Sequence, residues 1–179
     1  GSLYSKDELR SLADVIVKHE NLLVTSDEIY EHINFVGKHE SLAQFPDVYD
    51  QVITVNGVSK AFAMTGWRIG YIGAPAWISQ ACTKMQGQIT SGTCGIAQRA
   101  AIAALLASPS VTDEMKEAFH KRRDLVLGML GEMEGVKINL PEGAFYVFPD
   151  ISSFFGKSDG TTTVNNADDL TIYILEKAN

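Results

Sequence analysis

The stretch GVSKAFAMTGWRIG, Gly57 to Gly70, sets one lysine among small and apolar residues and an arginine eight positions beyond it. Glycines stand at 57, 66 and 70, the residue type that lets a backbone turn sharply or be approached closely. Lysine is costly to bury, and no carboxylate lies within the run to compensate it. Amines become nucleophiles where desolvation or a neighbouring cation lowers their proton affinity, and Arg68 is a candidate for that cation. Its planar fork of donors also suits phosphate oxygens.

Outward from this run, Gln51–Asn56 (QVITVN) reads as a strand entering it and Arg68–Gly73 (RIGYIG) as a strand leaving it. Upstream, Ser5 with Glu8 has capping-box spacing, and Leu9, Leu12, Ala13, Ile16 and Val17 lie beyond it on one helical face. Leu22–Ser26 (LLVTS) reads as a short buried strand that stops at Asp27, ahead of the acidic and aromatic cluster DEIYEHINF. This rhythm of helix, strand, loop and strand predicts an α/β sheet whose functional loops leave the strand ends, with Asp27 and Tyr30 at one such end. After Pro75 the pattern turns helical: PAWISQACTKMQGQ, then IAQRAAIAALLAS, closed by Pro109. A long amphipathic helix is predicted from Thr112 to Met133, its apolar face formed by Met115, Phe119, Val126, Met129, Leu130 and Met133. VKINLPEGAFYVFPDIS reads as strand and the tail from Asn166 to Asn179 as helix. The expected division is 1–110, a connecting helix over 111–134, and 135–179. Three strands make a meagre sheet, and the whole reads as a segment of a larger protein.

Composition narrows the classes. With 45% hydrophobic residues among 179 and a mean hydropathy of zero, the chain can build a core. It carries no apolar run of membrane-spanning length and no secretory leader pattern, so neither membrane nor export is expected. A net charge of −7 argues against nucleic acid or an anionic membrane as partner. Cys82 and Cys94 have neither zinc nor redox-motif spacing and read as reduced thiols of a cytoplasmic protein. His19, His32, His39 and His120 are scattered without ligand spacing, so no metal site is expected; His32, beside the acidic cluster, reads as a surface residue. Ser59 and Lys60 are adjacent, and adjacent side chains rarely aim at each other as a hydrolytic pair must.

Taken singly, each notable residue has a plain explanation. A loop lysine is mostly a solvated charge, a strand-end aspartate a turn former, and an arginine in WRIG an ion-pair partner. Together, Lys60, Asp27, Tyr30 and Arg68 describe the needs of pyridoxal 5'-phosphate: an amine for its aldehyde, a guanidinium for its phosphate and a carboxylate opposite its ring nitrogen.

Gly57–Gly70 resembles the lysine-attachment signature of the class I and II aminotransferases, pyridoxal-phosphate enzymes of fold type I. Gly57, Val58, Ser59, Lys60, Ala63, Met64, Gly66, Arg68, Ile69 and Gly70 meet every restricted position of that pattern. VNGVSKAFAMTGWRIGYIGAP is similar to the bacterial aspartate aminotransferase branch, and SDEIYEHINF matches the family's D-x-x-Y element. EGAFYVFPDI resembles its small-domain strand, and GSLYSKDELRSLADVI is similar to the segment just beyond its N-P-T-G motif. The resemblance implies part of the α/β/α large domain plus the start of the small C-terminal α+β domain. It makes Lys60 the attachment lysine and proton-carrying base, and Asp27 the acid that keeps the pyridine nitrogen protonated. An ion pair at about 4 Å and an effective dielectric of about 20 is worth roughly 4 kcal/mol, about three pKa units on that nitrogen. Tyr30 becomes the hydrogen-bond partner of the 3′ oxygen, Arg68 and Ser59 the phosphate ligands, and Phe145 a wall of the substrate pocket. Gly57 has no side chain where some members carry a phosphate-binding serine.

The implied activity is transfer of an amino group between an amino acid, aspartate or glutamate, and a 2-oxo acid by ping-pong kinetics in a homodimer. Alternatives are a β-lyase, an aminocyclopropane-carboxylate-synthase-like enzyme, or a scaffold without catalysis. The family's N-P-T-G asparagine, glycine-rich phosphate loop, ring-stacking aromatic and C-terminal substrate arginine all fall outside these residues. The isolated chain is therefore expected to show little or no transamination.

Overall fold

In the computed structural model, which describes residues 1–177, the first helix starts as the capping-box spacing predicts. Ser5 Oγ accepts the Glu8 N–H at 3.3 Å, and the Glu8 carboxylate accepts the Ser5 N–H at 2.8 Å, satisfying two N–H groups that the first turn leaves over. Helix α1 (Lys6–Ile16) buries Leu9, Ala13 and Ile16, a stripe at helical spacing. Leu12 and Val17, predicted on the same face, stay exposed because only that narrow stripe meets its neighbours.

Strands β1 (Val24–Asp27), β2 (Val52–Gly57) and β3 (Gly70–Gly73) form one sheet in the order β1-β2-β3. β1 runs parallel to β2, from Val24↔Val52 to Asp27↔Val55, and β3 runs antiparallel to β2, with Gly57 opposite Gly70. The strand limits differ from the sequence expectation. Leu22 and Leu23 stay outside β1 because the ladder begins at Val24↔Val52, and Arg68 cannot open β3 because its φ is 53°. The β1-to-β2 crossover, residues 28–51, contains no α-helix, only the 3-10 turns Leu42–Gln44 and Tyr49–Gln51.

Two clusters fix this arrangement. Leu9, Ala13 and Ile16 of α1 pack with Leu42, Phe45 and Val48 of the crossover and with Val52. Each fully buried aliphatic contributes about 1.5–3 kcal/mol. The second cluster, Val58, Ile69, Ala97 and Ala101 with Phe62 and Met64, fastens the β2–β3 turn to helix α3 (Gly95–Leu105). Helix α2 (Ala76–Ile89) lies between β3 and α3 in the chain and buries Ile78.

The chain divides into two units, Ser2–Phe119 with Glu142–Ala144, and Gly1, His120–Pro141 with Phe145 onward. Helix α4 (Ser110–Gly131) crosses the division in sequence. Its predicted apolar face is covered only in part: Met115, Phe119 and Leu130 are half-buried, whereas Val126 and Met129 are 40% and 58% exposed. VKINLPEGAFYVFPDIS forms no regular strand; its pairings are the single bridges Lys137↔Asp150 and Asn34↔Gly143. A ladder needs a neighbour in register, Pro141 and Pro149 supply no N–H, and Ala144 turns left-handed at φ 57°. Helix α5 (Ala167–Lys177) realises the tail helix; Ala178 and Asn179, also predicted helical, lie outside the described residues. Both cysteine thiols are free and exposed. Among the described residues no helix is long and apolar enough to cross a membrane. Nor does any group of three or more His, Cys, Asp or Glu among them form a metal-holding set.

Candidate active site

Because β1 and β2 are parallel, both end at one edge of the sheet. Asp27 is the last residue of β1, opposite Val55, and two residues further β2 ends at Gly57, from which the chain runs through Val58 and Ser59 to Lys60. β3 returns antiparallel, so Gly70 lies against Gly57 and Arg68 is brought back to the same edge. Tyr30 comes after Asp27 in a tight turn, closed by Glu31 N–H donating to Glu28 O at 2.9 Å and Ile33 N–H to Tyr30 O at 2.8 Å. Four positions from three segments of the chain thus share the carboxyl end of a parallel strand pair, where α/β sheets bind ligands.

The side chains divide into a pair in contact and two with local partners. Lys60 is half-buried, its Nζ 5.9 Å from the centre of the Tyr30 ring, at the outer limit of cation–π attraction. Asp27 is exposed and accepts the Ile29 N–H at 3.2 Å, forming an Asx turn at the strand end. Arg68 is exposed and donates from Nη1 to the Thr65 carbonyl at 2.8 Å. Ser59 is half-buried beside Lys60. Phe145 belongs to the other unit, where its ring lies 4.9 Å from that of Tyr146.

The Lys60 turn has a clear local cause. A Cβ on Gly57 would stand 2.8 Å from the Ile69 carbonyl oxygen, so only glycine lets β3 close against β2 at that point. Val58, fully buried, then pins the chain, and Met64 N–H bonds back to Val58 O at 3.3 Å. Beside this turn opens a cleft of about 520 Å³ walled by Ala63, Gly66, Trp67, Cys94, Ile96 and Ala97. Lys60 and Asp27 do not line it. The N–H groups of Ala97 and Ile96, at the start of α3, hold the Cys94 thiol below its ordinary pKa.

Sequence reading missed two polar networks beneath the site. Glu28, only 8% exposed, accepts hydrogen bonds from His39 Nε2 at 2.8 Å, Ser41 Oγ at 2.7 Å and Ser26 Oγ at 3.0 Å. Desolvation pushes the Glu28 carboxyl up, but the bonds from His39, Ser41 and Ser26 outweigh it and leave the group below its ordinary value. The bond to Glu28 in turn raises His39. On the other side of the turn, Asn56 Nδ2 donates to Glu31 at 2.9 Å while its Oδ1 accepts the Gly57 N–H at 2.7 Å. The one available signal was strand alternation, which sends Glu28 to the face opposite Asp27. His32 packs its ring edge against Phe62 at 5.8 Å and lies 3.2 Å from Glu31, as a half-exposed surface group.

The family model described as aminotransferase class I and II matches residues 1–179. The chain is 48% identical to a bifunctional aspartate aminotransferase and glutamate/aspartate-prephenate aminotransferase of Petunia hybrida, over 99% of this chain and 38% of that protein. Its fold superposes on an aspartate aminotransferase from Rhizobium meliloti with a TM-score of 0.93 and 38% identity, over 98% of this chain and 44% of the other. An aromatic aminotransferase from Pyrococcus horikoshii OT3 superposes at 0.87 and 36% identity, over 99% of this chain and 45% of the other. The chain thus spans less than half the length of these relatives.

Proposed function

Because this chain belongs to the class I and II aminotransferases, with the fold of the fold-type-I members, we propose that the whole protein is a pyridoxal-phosphate-dependent aminotransferase acting on aspartate or glutamate and a 2-oxo acid. The observation that supports the proposal is the strand register, which brings the backbone positions of Asp27, Tyr30, Lys60 and Arg68 to one edge of the sheet from three separate segments. That donor set fits the cofactor's chemistry, group for group. Bound pyridoxal phosphate supplies an aldehyde and an electron-withdrawing ring that accepts the charge left at the substrate's α-carbon.

The chain's own residues would do the rest. The Asp27 carboxylate would accept the ring N–H and keep that nitrogen charged, Tyr30 would donate its phenol O–H to the 3′ oxygen, and Arg68 with Ser59 would hold the phosphate oxygens. Lys60 Nζ would serve as the base that accepts and returns the proton at the substrate's α-carbon, a role suited to an amine on a short, well-anchored turn. Phe145 is assigned to the wall of the substrate pocket. In this reading residues 1–110 belong to the cofactor domain, 111–134 to the connecting helix and 135–179 to the small domain. Family membership supports a homodimer, and two free thiols support a cytoplasmic setting.

The test is chemical trapping. Whole protein mixed with pyridoxal phosphate and reduced with borohydride should carry the cofactor's mass on the peptide containing Lys60, and Lys60→Ala should carry none. Initial rates with varied aspartate and 2-oxoglutarate should give parallel double-reciprocal lines. A cofactor mass on any other lysine, or none at all, overturns the reading.

A further inference from the structure

Glu28 stands where three pieces of the fold meet. Its N–H bonds to Val55 O of β2 at 2.8 Å, its carbonyl accepts the N–H that closes the Tyr30 turn at 2.9 Å, and its side chain reaches His39 and Ser41. Strand alternation turns Asp27 outward to the sheet edge and Glu28 inward, so one peptide unit carries both the exposed carboxylate and the buried one. A buried carboxylate is expensive unless paired and hydrogen-bonded, and an apolar side chain would fill the same space at lower cost. Three hydrogen-bond donors, one of them on an imidazole, converge on it.

The crossover between β1 and β2 shows what this convergence achieves. Its later part is anchored by Leu42, Phe45 and Val48 in the first core cluster. Between that anchor and β1 the chain runs through the Tyr30 turn and exposed residues 36–38, including Gly37 at φ 60°. The bonds to His39 and Ser41 close this excursion back on the end of β1, eleven and thirteen residues downstream of Glu28. We infer that Glu28 is a positioning residue, its buried carboxylate fastening segment 39–41 to the end of β1 and so fixing the backbone from which Asp27 and Tyr30 meet the cofactor. The inference rests on the function proposed above for Asp27 and Tyr30, although the fastening itself does not.

The experiment compares wild type, Glu28→Gln, the milder Ser41→Ala, and Tyr30→Phe in the whole protein. Without cofactor, amide hydrogen exchange of residues 29–41 should quicken by about tenfold or more in Glu28→Gln and by less in Ser41→Ala, as expected for losing charge-assisted bonds. With pyridoxal phosphate bound, the pH midpoint of its absorbance should move upward in Glu28→Gln, in the same direction as in Tyr30→Phe. Loss of the phenol's hydrogen bond to an oxyanion produces that shift, and general loosening does not. Unchanged exchange at 29–41 in Glu28→Gln overturns the inference, as does faster exchange with an unmoved midpoint. If Glu28→Gln does not fold, Ser41→Ala decides by the same two readings. If wild type takes up no cofactor, the proposed function falls and positioning falls with it, while exchange alone decides whether Glu28 fastens the loop.

Discussion

Gly57→Ala is the substitution whose cost can be worked most directly from the structure. The new Cβ would stand 2.8 Å from Ile69 O, 3.2 Å from Gly70 Cα and 3.3 Å from Ile29 Cδ1. The first two are backbone atoms of the paired strand, so relief requires β3 to retreat from β2 by more than half an ångström at the pair Gly57↔Gly70. Overpacking of this kind costs about 1–3 kcal/mol. For a chain of this size, about 2 kcal/mol corresponds to a fall in Tm of about 4–8 °C. Gly66→Ala is the internal control: no atom lies within 4 Å of its added Cβ, so removing a glycine there should leave Tm unchanged or raise it slightly. Thermal unfolding measured by circular dichroism checks both. A Gly57→Ala protein melting within about 1 °C of wild type, or a Gly66→Ala protein falling as far as Gly57→Ala, refutes the steric account.

Three further outcomes rest on particular groups. Ser5→Ala removes the capping box of α1 and should cost about 1 kcal/mol, read as a lower denaturant midpoint at unchanged slope. The Glu28–His39 pair should make stability depend on pH in a defined direction. His39 lies above its ordinary 6.5, so its contribution is complete below that value and lost as pH rises through the raised one. Glu28 lies below its ordinary 4.5, so its contribution is present above that value and lost as pH falls through the lowered one. The stability gap between wild type and His39→Gln, with Glu31, Glu40 and Lys38 left in place, should therefore be widest between the two and narrow on both sides; a gap flat in pH counts against the pair. Finally, alkylation of Cys94 should rise with pH about a midpoint below the ordinary thiol value of 9.0, because the N–H groups of Ala97 and Ile96 favour its thiolate. A midpoint at or above that value rules out the helix-start effect.

Much of the local structure was legible because its causes are local. The Ser5–Glu8 spacing marked the start of α1, and Pro75 and Pro109 bracketed the stretch that holds α2 and α3. Features that depend on distant partners were not legible. The apolar run at Leu22 reveals a strand but not that pairing waits for Val24, since register belongs to β2 as much as to β1. Residues 136–152 read as strand, yet a strand needs a neighbour and finds only single bridges. At the candidate site, Lys60, Asp27, Tyr30 and Arg68 could be picked out by residue type and resemblance; that they share a sheet edge needed the register. Glu28 was hidden within the acidic cluster because its partners, His39 and Ser41, lie beyond any local period.

The helix-free crossover between β1 and β2 has a consequence for how this fold can change. Most α/β units keep the link between parallel strands on a helix, away from the loop that presents chemistry, so either can vary alone. Here one segment does both jobs: it holds the Tyr30 turn near its start and core residues Leu42, Phe45 and Val48 further along. A change of length at the Tyr30 turn or at 39–41 would disturb the turn or the bonds of His39 and Ser41 to Glu28, whereas the exposed residues 36–38 have room to take one up. Changes of length should therefore be tolerated at 36–38 and resisted on either side of it.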